Sequence, residues 1–271
     1  MKLRIMINKE LHTQIQNIDT KYWDRRSSHS FDKINQYKRL SNKAPYIIDI
    51  YATYLQLIEI FMLNTLALLK NDWSVIFKGN TELRDLIIEM FYDDIEKKRF
   101  NTQIIFDLIN NLVLGLEGTV EMKNRKEKLL NYSKFLQEII ADYMTDYDLL
   151  NAFKHGYRVQ GSGENSISIA PSGSDKSFLL NKFTSSIVYL SKKKNIVYEM
   201  SVSFNYERIF LKIQYLINIL ENIKEIECAI YEKRPIKVLH HLVITDKAKV
   251  QSSWGNSRWK TPKYEIKKKS R

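Results

Sequence analysis

A group of polar side chains follows an apolar helical pattern in the segment DLLNAFKHGYR, which covers residues 148–158. If a helix runs through this segment, Asp148, Asn151 and His155 lie on one face, since they are spaced by three and seven positions. The charge of a histidine changes near neutral pH, so His155 beside fixed polar groups suits general acid–base chemistry. Lys154 and Arg158 add positive charge. The sequence therefore places a candidate site at the end of a helix.

A simpler interpretation of the same segment needs no ligand. Lys154 and His155 can complement the last carbonyl groups of a helix, where the helix dipole is negative. Gly156 follows them directly, and glycine is typical of a helix C-terminus. In that case the polar residues only end the helix. The sequence leaves both interpretations open.

The segment Asn151-Ala-Phe-Lys-His155 resembles the motif of HEPN domains, α-helical bundles found in bacterial toxin, CRISPR-associated and phage-defence proteins. The family motif has an arginine, usually followed by a polar residue, and a histidine several positions later. The resemblance implies that two protomers form one RNA-cleaving site that needs no metal or cofactor. His155 would then be the acid or base, Asn151 would position a phosphate oxygen, and Lys154 or Arg158 would supply charge.

One position departs from that motif, because Leu150 stands where the arginine should be. Leucine cannot stabilise charge on a scissile phosphate. Either catalysis is lost or another cation, Arg158 or Lys154, takes its place. The Asn-x-x-Lys-His-Gly form is also similar to a group of bacterial HEPN-like proteins in which this segment is a structural or binding signature. A non-catalytic interaction or scaffold protein of the same fold is thus the alternative.

Long apolar patterns predict the helices that must position this site. Glycine (8) and proline (4) are scarce, which favours long helices. After a polar joint at 25–30, we expect helices over about 45–69, opened by Pro45, and then over 81–98, 101–117, 127–155 and 205–235. Alternating residues predict a hairpin from 186–190 and 196–204 with its turn at 192–195, and a short strand at 166–169. The expected N-caps are Asn80 or Thr81, Asn101 or Thr102, and Asn205.

The fold class that follows is mainly α, a HEPN-like helical bundle with a small β-hairpin insertion and a basic C-terminal tail. We expect a single domain over 1–235, with the insertion at about 160–204, and a basic extension over 236–271. In that extension the apolar residues 238–244 allow one short strand, and residues 254–259 and the basic end are expected to be irregular. The tail carries twelve Lys or Arg against three acidic residues from 232 onward, so nine of the twelve excess positive charges lie there. A polyanionic partner or a solvated tail both fit this charge. The expected nucleic-acid contacts are Arg258, Lys260, Lys263, Lys267, Lys268 and Lys269, with Trp254 and Trp259 for base stacking. Packing of these tryptophans against the body of the protein is an equal alternative.

Other features exclude common classes of function. The single cysteine, Cys228, rules out a disulfide framework within the chain and favours a reducing, cytoplasmic location. No phosphate loop, paired-cysteine site or HExxH helix occurs, so we expect no metal and no cofactor. The apolar stretch 46–69 is long enough to cross a bilayer but contains Asp49 and Glu59, which predicts a buried central helix and no membrane span. Membrane-surface attachment through the tail is a third, weaker alternative.

Taken together, the sequence predicts a cytoplasmic, HEPN-like nucleic-acid-binding protein of a phage-defence or toxin-like system, with ribonuclease activity or a scaffold role. The expected partners are RNA or another nucleic acid, a second copy of the chain in a homodimer, and a protein of the same system.

Overall fold

A computed structural model describes residues 9–110, 125–154, 159–162, 165–169, 178–193, 196–236 and 257–265. Its helices are α1 Lys9–Gln16, α2 Thr20–Gln36, α3 Leu40–Lys70, α4 Asn80–Phe91, α5 Thr102–Leu108, α6 Arg125–Lys154 and α7 Tyr206–Tyr231, with a 3-10 turn over Trp73–Phe77. The strands are β1 Tyr92–Asp94, β2 Arg99–Phe100, β3 Val159–Ser162, β4 Asn165–Ile169, β5 Phe178–Phe183, β6 Ser185–Lys193, β7 Ile196–Phe204 and β8 Ser257–Glu265. The prediction of a mainly α-helical chain with a small β insertion is confirmed.

The expected polar joint at residues 25–30 is wrong, because α2 runs through it without a break. Its polar side chains have partners on α3. Arg26 donates from Nε to Asp49 Oδ1 over 3.0 Å, and Ser30 donates to Asp49 Oδ2 over 2.5 Å. The helix therefore buries a polar stripe against a carboxylate, which its apolar pattern alone does not reveal.

Two helix boundaries also differ from the prediction. Helix α3 begins at Leu40 and contains Pro45 in its second turn, where the proline is exposed. The carbonyl oxygen of Arg39 accepts hydrogen bonds from the N–H groups of Asn42 and Lys43. The first turn of the helix is therefore closed before Pro45, which has no N–H group to donate. Helix α4 ends at Phe91 and not near 98, because β1 pairs with β2 and closes a short hairpin there.

The helix starts confirm one expected N-cap and replace another. The side chain of Asn101 accepts from the N–H of Ile104 over 3.1 Å at the start of α5, so of the two expected caps, Asn101 and Thr102, the first is confirmed. At the start of α4 the N-cap is Gly79, and its N–H donates to the carboxylate of Glu82 over 3.1 Å. Asn80 or Thr81 was the expected cap at that end, and this prediction was wrong.

The chain forms two compact units, each built from three separate segments. The first unit comprises 1–23, 57–145 and 214–247. Its interior consists of aliphatic and aromatic side chains from several helices, among them Leu66, Ile87, Phe91, Ile139 and Leu220. Helix α1 is tied to α7 by polar contacts, since His12 Nδ1 lies 2.9 Å from the fully buried carboxylate of Glu227.

The second unit comprises 24–56, 146–213 and 248–271. It contains a four-stranded antiparallel sheet in the order β3-β6-β7-β8 and a separate two-stranded sheet of β4 and β5. One face of the larger sheet packs on helices, as the rings of Phe204 and Tyr51 lie 4.3 Å apart. The predicted division into a domain over 1–235 and an extension from 236 stays a prediction.

The C-terminal tail is not irregular throughout, which corrects the expectation from the sequence. Residues 257–265 form β8, an edge strand that pairs with β7 from Ser257 opposite Ser203 to Glu265 opposite Ile196. Lysine, arginine and proline within a strand do not prevent pairing at a sheet edge, where one side of the backbone needs no partner.

Helix α3 has the length and composition to cross a membrane, the only helix in the described ranges to do so. Of its most apolar window, 72% is buried inside the protein. Burial among other parts of the chain accounts for this composition, so the helix does not indicate a membrane span.

Candidate functional site

The last turns of α6 connect the helix to the sheet and to α3. The hydroxyl of Tyr51 donates to Asp146 Oδ2 over 2.6 Å, and both side chains are buried. Two residues further along α6, Asp148 Oδ2 accepts from the hydroxyl of Ser191 of β6 over 3.1 Å. Buried carboxyl oxygens with hydrogen-bond partners hold elements in one register, because leaving them unpaired is costly. Asp148 of the predicted polar stripe is thus engaged in packing.

Leu150, at the position of the motif arginine, is 0% exposed. Its neighbours in sequence, Leu149 and Ala152, are equally buried. A guanidinium placed at this buried position would have to leave water, which costs several kcal/mol even with the carboxylate of Asp146 one helical turn earlier. The leucine is therefore a core residue, and position 150 offers no cation to a substrate.

Of the four predicted catalytic residues, the structure describes two. Asn151 is half-buried and Lys154 is exposed in the last turn of α6. His155 and Arg158, with Gly156 between them, lie outside the described residues. The acid–base chemistry assigned to this end of the helix is therefore untested, and it stays a prediction.

The predicted nucleic-acid contacts of the tail divide in the same way. Three of the basic residues and one tryptophan lie on β8, where Arg258 stands opposite Val202, Trp259 opposite Ser201 and Lys260 opposite Met200, with Lys263 further along. Trp254, Lys267, Lys268 and Lys269 lie outside the described residues. The pairing places part of the basic tail at the edge of an ordered sheet.

A second group of basic residues, which the sequence interpretation missed, surrounds the junction of α2 and α3. We call it the basic aromatic cluster; it consists of Lys33, Tyr37, Lys38, Arg39, Lys43 and Tyr46. The segment 33–43 contains four cationic residues and no acidic one. This run of charge with two nearby tyrosines was the signal that could have revealed it.

The aromatic rings of this cluster are stacked on one another. The centroids of Tyr37 and Tyr46 are 5.8 Å apart at an interplanar angle of 26°, and His29 meets Tyr46 edge-on at 5.8 Å. The ammonium of Lys33 lies 5.7 Å from the ring centroid of Tyr37, within reach of a cation–π contact. Partial burial and the neighbouring Tyr37 raise the pKa of Tyr46, so its hydroxyl stays neutral well above pH 7.

The remaining cations of the cluster are Lys38, Arg39 and Lys43. Lys38 and Arg39 are exposed and Lys43 is half-buried. None of the three forms an ion pair with a residue in the described part of the chain. A ligand with negative charge would thus not have to break an ion pair with a described carboxylate.

A cleft of about 420 Å³ opens beside the cluster and shares two of its lysines. It is lined by Ile34, Lys38, Leu40, Lys43, Ile47, Thr184, Ser185, Tyr206 and Glu207. Helix α7 begins at this cleft, and the N–H of Tyr206 donates to Thr184 Oγ1 over 3.1 Å. Asn205, the expected cap of α7, directly precedes the helix, and its Oδ1 accepts from the N–H of Thr184 over 3.1 Å, so hairpin and helix hold each other in place.

The tyrosine of this cleft is fixed and neutral. Its hydroxyl donates to Asn35 Oδ1 over 2.8 Å. Burial, with the nearby carboxylate of Glu207 as the next cause, raises the pKa of Tyr206 to about 12. The ring is therefore a stable apolar wall of the cleft at physiological pH.

The described ranges contain no group of three His, Cys, Asp or Glu side chains that could hold a metal ion. No protein-family model, no curated protein and no solved structure matches the chain. The HEPN-like resemblance therefore continues to rest on the residues at the end of α6.

Proposed function

We propose that the protein binds nucleic acid, and that the basic aromatic cluster of the second unit makes the principal contacts. The observation that carries the proposal is the pairing of stacked tyrosine rings with cations that form no ion pair with a described residue. Lysine and arginine neutralise phosphates, and the release of counterions makes such binding favourable at low salt. Tyrosine faces accept unpaired bases by stacking.

The sheet extends this surface toward the basic tail. Gly161 of β3 lies so close to α3 that a Cβ atom there would be 2.5 Å from the carbonyl oxygen of Ala44. Strand β8 with Arg258 and Lys260 is the opposite edge of the same sheet, three strands away. At a spacing of about 4.8 Å between strands, the two edges are roughly 14 Å apart. A nucleic acid of a few nucleotides spans that distance.

In this proposal the end of α6 serves structure and not catalysis. Buried Leu150 and the hydrogen bonds of Asp146 and Asp148 support that assignment. The same contacts also fit the alternative of a scaffold protein that binds no nucleic acid. A HEPN-like fold, a homodimer and a role in phage defence stay predictions.

Binding to a fluorescein-labelled single-stranded RNA of twelve nucleotides, followed by anisotropy, tests the proposal. We expect the affinity to fall steeply as salt is raised from 50 to 200 mM. A control with a labelled acidic peptide separates phosphate binding from general attraction to anions. Absence of RNA binding at 50 mM salt would reject the proposal and favour the scaffold protein.

A further inference from the structure

We propose that the cleft beside the basic aromatic cluster holds one unstacked nucleotide of a single-stranded nucleic acid. This inference rests on the proposed function and makes it more specific. It predicts that the protein prefers single strands to duplexes, which general attraction between phosphates and lysines does not.

The size of the cleft fits one nucleotide. Its volume of about 420 Å³ lies at the lower end of the range for small-ligand pockets, about 300–1,000 Å³. A base in a duplex is paired and stacked, so it cannot enter such a space unless it is first extruded. Bases of single strands are available without that cost.

The walls of the cleft divide into an apolar part and a charged part. Ile34, Ile47 and the ring of Tyr206 offer apolar and aromatic surface to a base. Lys38 and Lys43 offer two positive charges to a phosphate. An apolar body next to an anionic group is the chemistry of a nucleotide.

The acidic residue that lines the cleft, Glu207, narrows the range of possible ligands. Glu207 is exposed, and its carboxylate lies 3.3 Å from the hydroxyl of Thr184. Two lysines and one glutamate leave a net charge of +1, which matches one phosphate better than a polyphosphate. Carboxylate oxygens also accept hydrogen bonds from ribose hydroxyls and from the amino groups of bases.

A buried polar group at the cleft is the second, independent observation. Ser185 is 0% exposed, and its hydroxyl lacks a hydrogen-bond partner in the described structure. Buried hydroxyls are nearly always paired, so an unpaired one at a cleft points to a ligand that completes it. The first residues of α7, a helix of 26 residues, line the same cleft with their positive dipole end.

The decisive variant fills the cleft without touching the core. Leu40 lines the cleft and is 45% exposed, so Leu40→Trp adds bulk at its mouth. Leu130 is equally exposed on the first unit, and Leu130→Trp is the matched control. Affinities are measured for a twelve-nucleotide RNA and for the duplex of the same sequence.

We expect wild type and Leu130→Trp to prefer the single strand at least tenfold, and Leu40→Trp to lose that preference while its duplex affinity is unchanged. Equal single-strand binding by Leu40→Trp and wild type would overturn the cleft assignment and leave the proposed function standing. Failure of wild type to bind either RNA would overturn both. Melting curves confirm that each variant is folded.

A second variant tests the buried hydroxyl. Ser185→Ala removes an unpaired group, so the melting temperature of the free protein should stay the same or rise. The increase in melting temperature caused by millimolar adenosine 5′-monophosphate should become smaller in Ser185→Ala than in wild type. A lower melting temperature of the free variant with an unchanged response to the nucleotide would contradict a ligand at this hydroxyl.

Discussion

Neutralising Lys38, Arg39 and Lys43 of the basic aromatic cluster should reduce both the affinity for single-stranded RNA and its dependence on salt. The variant Lys38→Gln/Arg39→Gln/Lys43→Gln removes three positive charges that have no acidic partner in the described chain. Glutamine keeps most of each side chain and its capacity for hydrogen bonds. Since none of the three is fully buried, the fold should change in stability by no more than about 0.5 kcal/mol per substitution.

The size of the effect follows from counterion release. Each phosphate contact on a single strand contributes about 0.7 to the slope of log affinity against log salt. Three contacts therefore contribute about 2 to that slope. This contribution is zero at 1 M salt, so at 0.15 M salt the variant should bind the RNA about 50-fold more weakly than wild type, and at 0.05 M about 500-fold more weakly.

The assay is fluorescence anisotropy with one labelled twelve-nucleotide RNA at four salt concentrations. The matched control, Lys9→Gln/Arg84→Gln/Lys97→Gln, removes three exposed charges from the first unit. It lowers the net charge of the protein by the same amount and should leave the slope nearly unchanged. If both triple variants lose affinity equally, net charge and not the cluster governs binding, and the reasoning is refuted.

Three further predictions concern the elements around the site. Tyr51→Phe removes the hydrogen bond to the buried carboxyl of Asp146 and should lower the free energy of unfolding by about 1–3 kcal/mol. Urea titration measures this change, and an unchanged midpoint would show that the contact is dispensable. Gly161→Ala places a methyl group 2.5 Å from the backbone oxygen of Ala44, so overpacking should lower the stability of the fold by about 1–3 kcal/mol. Thermal melting measures this loss, and a wild-type melting temperature would mean that β3 shifts freely. Wild type and His155→Ala, incubated with cellular RNA and a chelator, should produce no fragments with 2′,3′-cyclic phosphate ends; cleavage by wild type alone would restore the ribonuclease prediction.

Much of the helical part of this protein could be predicted from neighbouring residues. Apolar spacing located α3, α6 and α7, and Asn101, one of two expected caps, caps α5. The alternation of residues 196–204 marked β7 and its hairpin partner. These signals are local, because a residue three or four positions away on a helix, or two on a strand, decides which face is apolar.

The errors arose where distant partners decided the structure. The polar residues Arg26 and Ser30 looked like a joint because their acceptor, Asp49, is on the next helix. The basic tail looked irregular because β8 pairs with a strand about sixty residues earlier in the chain. A strand with charged residues and proline becomes ordered only when an edge is available to pair with it.

The candidate site shows the same division. The sequence by itself determined that the chain is mainly helical, that its C-terminal end is strongly basic, and that Leu150 interrupts the catalytic motif it resembles. Only the tertiary structure decided that this leucine is a core residue, that Tyr37 and Tyr46 stack, and that residues 34–47 and 184–207 enclose one cleft. The physical reason is that charge and periodicity are properties of neighbouring residues, whereas burial, stacking and clefts depend on which distant segments pack together.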